Sequence, residues 1–335
     1  MKTLLIFVNT YLPGYKAGGP IQSISNLCSF LRPYYRIYLI CNCHDYGDPT
    51  NYPQLNYDEF LDFKGIHVMY VSRGIWPYLC SLRKARDLNP DFIYCNSFYD
   101  FKFSIFPALM HLFGYLIAKY RFVIAPRGEL TTHSLAIKCF KKKLLNTLYL
   151  PLLKTRQQSF CFHSTSRYET EQIFSCVESC LSLDIYEAPN IPVQPCPHSL
   201  LKSRPVSSDR LNIIFLSRIT PKKNLLYALQ VLHNVSSRCT FHVIGPIQDF
   251  SYWTECLLAA STLPRNIDFQ YLGDLPHSNI QRALMSYDLL FFPTLGENYG
   301  HVIYESLSVG CPVLISDSTP WSNTVLNGCL LYTSA

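Results

Sequence analysis

Two glutamates, Glu297 and Glu305, flank the start of a helical pattern in GENYGHVIYESLSVGCPVLISD, residues 296–317. Gly296, Asn298 and Gly300 make the lead-in irregular, and an apolar run at 311–315 follows Gly310. Backbone N–H groups at such a helix start suit a diphosphate or a sugar hydroxyl. With Glu297 in the loop and Glu305 in the helix, each carboxylate can accept hydrogen bonds from a different hydroxylated part of one ligand. A carboxylate that receives two hydroxyls, as from a ribose diol, is a way to hold a nucleoside.

Three other stretches carry unusual residues directly after apolar runs. In LSRITPKKNLLYAL, Arg218 ends a strand pattern and Lys222 and Lys223 stand at the mouth of the next helix. Cations are disfavoured at a helix N-terminus. A bound phosphate would justify them, with Arg gripping two oxygens and Lys adding a point charge; two surface lysines and a structural arginine is the competing account. In APRGELTTHS, Arg127 and Glu129 follow a buried strand. They are either an ion pair internal to a domain or part of a cleft wall, and the sequence leaves these equal. In TYLPGYKAGGPIQSISNL, Gly18-Gly19-Pro20 opens a helix, with Gly19 free of a side chain and Pro20 suited to the first helical position. That helix start is a natural anion site, although a plain tight turn explains the residues as simply.

The elements that must position these groups are legible in the hydrophobic pattern. Short runs rich in β-branched and aromatic residues (4–10, 36–42, 67–72, 91–97, 121–126 and 159–166) alternate with longer helical patterns. After a proline-rich passage, EAPNIPVQPCPHS at 187–199, the alternation restarts with runs at 212–218, 240–245, 267–273, 288–294 and 312–316. Continuous apolar strands separated by helices argue for parallel sheets covered on both faces. Two such series predict two doubly wound α/β domains with a cleft between them: residues 1–190, a linker at 191–210, and residues 211–335. In open parallel sheets ligands bind beyond the carboxyl ends of the strands, which is where all four stretches fall.

At 335 residues, 48% hydrophobic and 16% charged, the composition is globular rather than disordered. Met1-Lys2 is followed by only a short apolar stretch before Asn9 and no small-residue cleavage site, so no signal peptide is read. The fourteen cysteines contain no C-x-x-C, which suits buried small hydrophobes in a reducing cytoplasm better than disulfides or zinc. Residues 1–195 hold 20 Lys and Arg against 14 Asp and Glu, while the remainder holds 9 of each. The basic excess therefore belongs to the first half, and it is densest in KCFKKKLLNTLYLPLLK, with Lys138, Lys141, Lys142 and Lys143 beside a leucine-rich stripe. A solvated helix end accounts for it; so does an interfacial segment resting on anionic lipid. No recognition motif points to nucleic acid. The apolar stretch 103–118 is too short to span a bilayer and contains Pro107 and His111, so it reads as a buried core helix.

The E-x7-E spacing after a strand, preceded by a strand ending in Arg with Lys five residues on, resembles the retaining glycosyltransferases of family 4, which have the GT-B fold of two facing Rossmann-like domains. The likeness runs through PGYKAGGP, NPDFIYCNSFYDF, VIAPRGEL, FHSTSRYE, LSRITPKKN and GENYGHVIYESLSVGCPVLISDSTPW, and is strongest to the bacterial polysaccharide-assembly branch with a P-R-G-E-L motif. The resemblance implies transfer of a sugar, of hexosyltransferase type, from a nucleotide-sugar donor to a lipid-linked or polysaccharide acceptor, with retention of configuration. It implies no cofactor and no metal; the cysteine usage and the basic segment give the expected location, cytoplasmic and peripheral on the inner face of the membrane. Arg218 and Lys223 would neutralise the donor diphosphate and stabilise the departing nucleoside diphosphate. Glu305 would hold the ribose. Glu297 would contact the transferred sugar, with the amides from Asn298 through Tyr299 and Gly300 to His301 on its hydroxyls and the diphosphate. Gly18 and Gly19 would let the donor approach the first domain. Many relatives carry a histidine in the loop that here reads PRGEL; Arg127 and Glu129 take its place as candidates, since His133 lies further on. Relatives also continue past TPW with further helices, so the resemblance implies a truncated C-terminal end. A nucleotide-sugar 2-epimerase of the same fold and an inactive nucleotide-sugar binder are the alternatives.

Overall fold

The computed structural model describes residues 1–131, 134, 139–177, 184–193, 209–321 and 330–333. Two compact units are present, Met1–Ile191 and Pro192–Ala335. Among the described residues, the first unit is built on an eight-stranded sheet in the order β3-β4-β2-β1-β5-β6-β7-β8. Its strands are β1 (Lys2–Phe7), β2 (Tyr35–Asn42), β3 (Phe60–Phe63), β4 (Ile66–Val71), β5 (Phe92–Cys95), β6 (Arg121–Ile124), β7 (Phe160–Ser164) and β8 (Asp184–Glu187). All pairings are parallel except β3 with β4. The described residues of the second unit form a six-stranded parallel sheet, β11-β10-β9-β12-β13-β14. These strands are β9 (Leu211–Leu216), β10 (Cys239–Ile244), β11 (Ile267–Tyr271), β12 (Leu289–Phe292), β13 (Val313–Ser316) and β14 (Leu330–Thr333). In both sheets the strand order reverses beside the first strand of the series, β1 or β9, as in doubly wound folds.

The continuous apolar runs work because both faces of each sheet are buried. Leu5 and Phe7 of β1 belong to one core and Leu4, Ile6 and Val8 to another. In β9 the split repeats, with Ile213 and Phe215 on one side and Ile214 and Leu216 on the other. Helices α1 (Gly19–Leu31), α2 (Ile75–Asp87), α3 (Phe106–Leu112), α4 (Cys139–Lys154) and α5 (Arg167–Val177) accompany the first sheet. Helices α6 (Leu225–His233), α7 (Phe250–Ser261), α8 (Ile280–Leu284) and α9 (His301–Ser308) accompany the second. Cys28, Cys41, Cys43, Cys95, Cys161, Cys239, Cys256 and Cys311 are buried and not joined in disulfides, as expected of small hydrophobes, whereas Cys80 is exposed and Cys176 half-buried.

One helix differs from its sequence reading. The expected buried helix over 103–118 is instead a π-helical turn, Phe101–Ile105, leading into the shorter α3. Asp100 caps the turn by accepting from Phe103 N at 2.8 Å, and its carbonyl takes the five-residue bond from Ile105 N. Gly114, at φ 77°, ends the helix, so Leu116 and Ala118 are buried from non-helical chain.

Candidate functional site

The second unit gathers most of the candidate residues beyond the carboxyl ends of its strands. After β9 the chain forms a 3₁₀ turn, Pro221–Lys223, and Asn224 in the left-handed region (φ 59°, ψ 41°) then redirects it into α6. Lys222 and Lys223 thus precede the helix rather than occupy its first turn. A second loop is fastened to this one: the Lys222 carbonyl accepts from Leu295 N at 2.9 Å and Thr294 Oγ1 at 3.1 Å. The fastening brings Lys223 onto Glu297 as an ion pair, with Nζ also 5.1 Å from the centre of the Phe292 ring. Arg218 Nη1 donates to Gln248 Oε1 at 3.1 Å. Burial alone would push the Glu297 carboxyl up, but Lys223, Lys222 and Arg218 outweigh it and hold it below the ordinary carboxylate value. Lys223 and Glu297, expected at the phosphate and the sugar of one donor, are here bonded to each other. A ligand that draws on Lys223 must therefore share it with Glu297 or displace it.

Glycines set the close approaches here. A Cβ on Gly300 (φ 78°) would lie 2.8 Å from Ile303 Cδ1 and 3.2 Å from Glu297 Cγ. A Cβ on Gly245 (φ 141°), just after β10, would lie 1.9 Å from the Ser217 carbonyl oxygen, next to Arg218. Helix α9 starts at His301 without a side-chain cap. The Tyr299 and His301 rings stand 4.7 Å apart, and Trp321 Nε1 donates to the Tyr299 carbonyl at 2.6 Å. Asn298 is partly buried in the same loop.

Glu305 lies one helical turn into α9 and is 3% exposed. Its Oε1 is 2.6 Å from His277 Nε2, and its Oε2 makes no hydrogen bond among the described residues. The two glutamates thus have separate partners: Glu297 faces the basic turn and Glu305 faces a histidine that the sequence reading did not single out. His277 opens the 3₁₀ turn His277–Asn279, after the carboxyl end of β11. The signal that could have found it is that same strand-end position.

In the first unit, Gly18 is the N-cap of α1 at φ 66°, Gly19 begins the helix, and Pro20 stands in its first turn. A Cβ on Gly18 would meet nothing within 4 Å, so the left-handed backbone, not crowding, calls for glycine. The buried Asp45 holds this loop, accepting from Tyr15 N at 2.7 Å and Lys16 N at 3.1 Å.

Arg127 and Glu129 are not paired with each other. Arg127, at φ 55°, donates from Nε to Asn96 Oδ1 (2.7 Å), from Nη1 to Asn190 Oδ1 (2.6 Å) and from Nη2 to Tyr94 OH (2.7 Å). Tyr94 OH continues to His163 Nδ1 at 2.7 Å, and His163 Nε2 to the Ala188 carbonyl at 2.9 Å. Glu129 accepts from Ser97 Oγ, Phe98 N and Tyr99 N, closing the turn after β5. Burial raises its carboxyl against the pull of those donors. Of the two accounts left open for this pair, the internal ion pair is replaced by two separate polar networks that tie the loop to β5, β7 and the residues leaving β8. His133 and Lys138 lie outside the described residues. Among the described residues no group of three or more His, Cys, Asp or Glu is arranged to hold a metal ion.

The fold is the α/β GT-B type, with two parallel-sheet domains. Residues 200–329, less than half of the chain, match the family model described as glycosyl transferases group 1. No curated protein matches the sequence. Among solved structures, Anabaena Alr3699/HepE in complex with UDP and glucose is 15% identical with a TM-score of 0.68, covering 100% of this chain and 86% of its own. Sucrose-phosphate synthase from Thermosynechococcus elongatus is 11% identical with a TM-score of 0.69, with the same coverage of 100% and 86%. WaaG, a glycosyltransferase involved in lipopolysaccharide biosynthesis, is 10% identical with a TM-score of 0.65, covering 99% and 86%.

Proposed function

We propose that this chain is a glycosyltransferase that moves a sugar from a nucleotide-sugar donor to a lipid-linked or polysaccharide acceptor with retention of configuration. The observation that carries the reading is the assembly of Arg218, Lys222 and Lys223 against Glu297, in the unit whose α9 carries Glu305 with one oxygen unpartnered among the described residues. In this reading the bond from the sugar C1 to the diphosphate breaks and its electrons go to the phosphate oxygen, where the basic cluster stabilises them. The acceptor hydroxyl oxygen bonds to C1, and its proton is taken up by the leaving diphosphate. Glu305 accepts from the ribose and Glu297 from the transferred sugar. The UDP and glucose in the HepE complex make UDP-glucose the first donor to try. The test incubates the full chain with UDP-glucose and other nucleotide-sugars, with NMR detection. Free nucleoside diphosphate with no epimerised donor, and a product anomer matching the donor, supports the reading. An epimerised donor, an inverted product, or binding without turnover overturns it.

The same reading places the enzyme on the cytoplasmic face of a membrane, through α4. Tyr149, Leu150 and Leu153 of this helix are in the core, while Phe140, Leu144, Leu148 and Leu152 form an exposed ridge four residues apart. Lys141, Lys143 and Lys154 are exposed on the same helix, whereas Lys142 turns back to the Ser134 carbonyl at 2.7 Å. An apolar ridge among lysines suits an anionic bilayer surface, each lysine contributing about 1 kcal/mol. Among the described residues no helix is long and apolar enough to cross a membrane.

A further inference from the structure

We propose that His277 is a positioning residue for nucleoside recognition: it holds one oxygen of the buried Glu305 and thereby presents the other to the hydroxyls of a nucleoside diphosphate. This rests on the reading of Glu305 as the nucleoside-binding carboxylate, and it assigns that residue a partner.

The argument starts from the cost of burial. A carboxylate that is 3% exposed has lost nearly all its water and must recover hydrogen bonds elsewhere. Glu305 recovers one, from His277 Nε2 to Oε1 at 2.6 Å. Against an ionised carboxylate Nε2 must carry the hydrogen, since Oε1 can only accept. The bond fixes the rotation of the carboxyl group, because the plane that satisfies His277 also sets where Oε2 points. Oε2 has no hydrogen-bond partner among the described residues and is not among the fully buried unpartnered atoms, so it stays within reach of a ligand hydroxyl. His277 is itself held at the head of α8, whose Gln281 reaches Ser308 of α9 at 3.5 Å. The histidine thus bridges the loop after β11 to the helix that bears Glu305. Removing it leaves Glu305 intact but free to rotate or to take up water on both oxygens.

The test measures calorimetric binding of UDP, ADP and GDP to the full chain and to His277→Ala, His277→Gln, Glu305→Gln and the His277→Ala/Glu305→Gln double variant, with a melting temperature for each. Glu305→Gln is expected to weaken the preferred diphosphate about tenfold or more. His277→Ala is expected to weaken it about three- to tenfold, and His277→Gln, which can still donate from its amide, to recover most of that loss. In the Glu305→Gln background, His277→Ala should add little, because its effect passes through the carboxylate. No binding by the wild-type chain, or full binding by Glu305→Gln, overturns the reading of Glu305 and this assignment with it. Weakened binding by Glu305→Gln with an unchanged His277→Ala overturns the assignment alone. So does a loss that His277→Gln fails to restore, or losses that add in the double variant, since either marks a structural histidine.

Discussion

Lys223 cannot serve a ligand phosphate and Glu297 in full at once, and this competition makes the variants at the two positions unequal. If Lys223 holds the donor diphosphate as proposed, Lys223→Ala removes a charge-assisted contact worth roughly 1.5–3 kcal/mol and should weaken UDP about ten- to a hundredfold. Glu297→Gln instead releases Lys223, so UDP binding should be retained or improved while turnover of UDP-glucose falls. Calorimetry beside a rate assay separates the two; equal losses of UDP affinity would falsify the division of labour between cation and carboxylate. The pair also carries a pH signature. The Glu297 carboxyl is depressed in the folded chain, so its contribution to stability is present above the ordinary carboxylate value and is lost as pH falls through the folded value. The melting-temperature gap between wild type and Glu297→Gln should therefore narrow from neutral pH to about pH 3; a gap that stays constant would sink the claim. The residues of this cluster were legible because each follows an apolar run at a strand end. His277 was not, since it meets Glu305 across 28 residues of chain with no shared spacing to mark it. Nor were the partners of Arg127, which span 31 to 63 residues. A side chain's type and neighbours in sequence say what it can bond, while its partner depends on which loops the sheet brings together.

The elements missed by the hydrophobic pattern share a position. β3, β8 and β14 are all sheet edges. A central parallel strand is covered on both faces and reads as a continuous apolar run, but an edge such as β8, DIYE, is largely exposed and carries charges. β11 is an edge as well, and its run IDFQY was still apolar enough to find. The expected helix over 103–118 failed for another reason: hydrophobicity marks what is buried, and it does not distinguish α from π hydrogen bonding or from the non-helical chain that buries Leu116. Two predictions belong to this scale. Gly245→Ala places a methyl against the Ser217 carbonyl at a φ that L-residues avoid, so it should cost about 3 kcal/mol or more, read as a lower melting temperature of the second unit. A melting temperature within a degree of wild type would contradict that packing. For α4, replacing Leu144 and Leu148 with Ser, or Lys141 and Lys143 with Gln, should lower recovery on anionic vesicles, the lysine effect shrinking as salt rises. Equal recovery on neutral and anionic vesicles would reduce the ridge to an ordinary exposed helix face.

At the scale of the whole molecule, two units with separate cores should not melt as one. If the donor's nucleotide is held by the second unit, UDP at a hundred times its dissociation constant should stabilise that unit by about 2.7 kcal/mol and leave the other transition in place. Calorimetric scans with and without UDP check this, assigned by the Gly245→Ala variant; a shift confined to the transition that Gly245→Ala leaves alone would put the nucleotide in the first unit. The charge distribution agrees with a division of tasks, the basic excess lying wholly within residues 1–195, which include the exposed lysines of α4.

The π-helical turn at Phe101–Ile105 acts as a phase shifter. Each residue in an α-helix advances the side-chain direction by about 100°. Dropping one residue from this turn would restore the ordinary four-residue bond and rotate all of α3 by about that amount, moving Ala108 and Leu112 off the core face and turning their neighbours in. A single-residue deletion here is therefore not a small change in length but a change in which side of the helix is inside. Any alignment of this chain with a relative that lacks the turn must place a one-residue gap between Asp100 and Phe106, or it will pair buried positions with exposed ones for the rest of the helix.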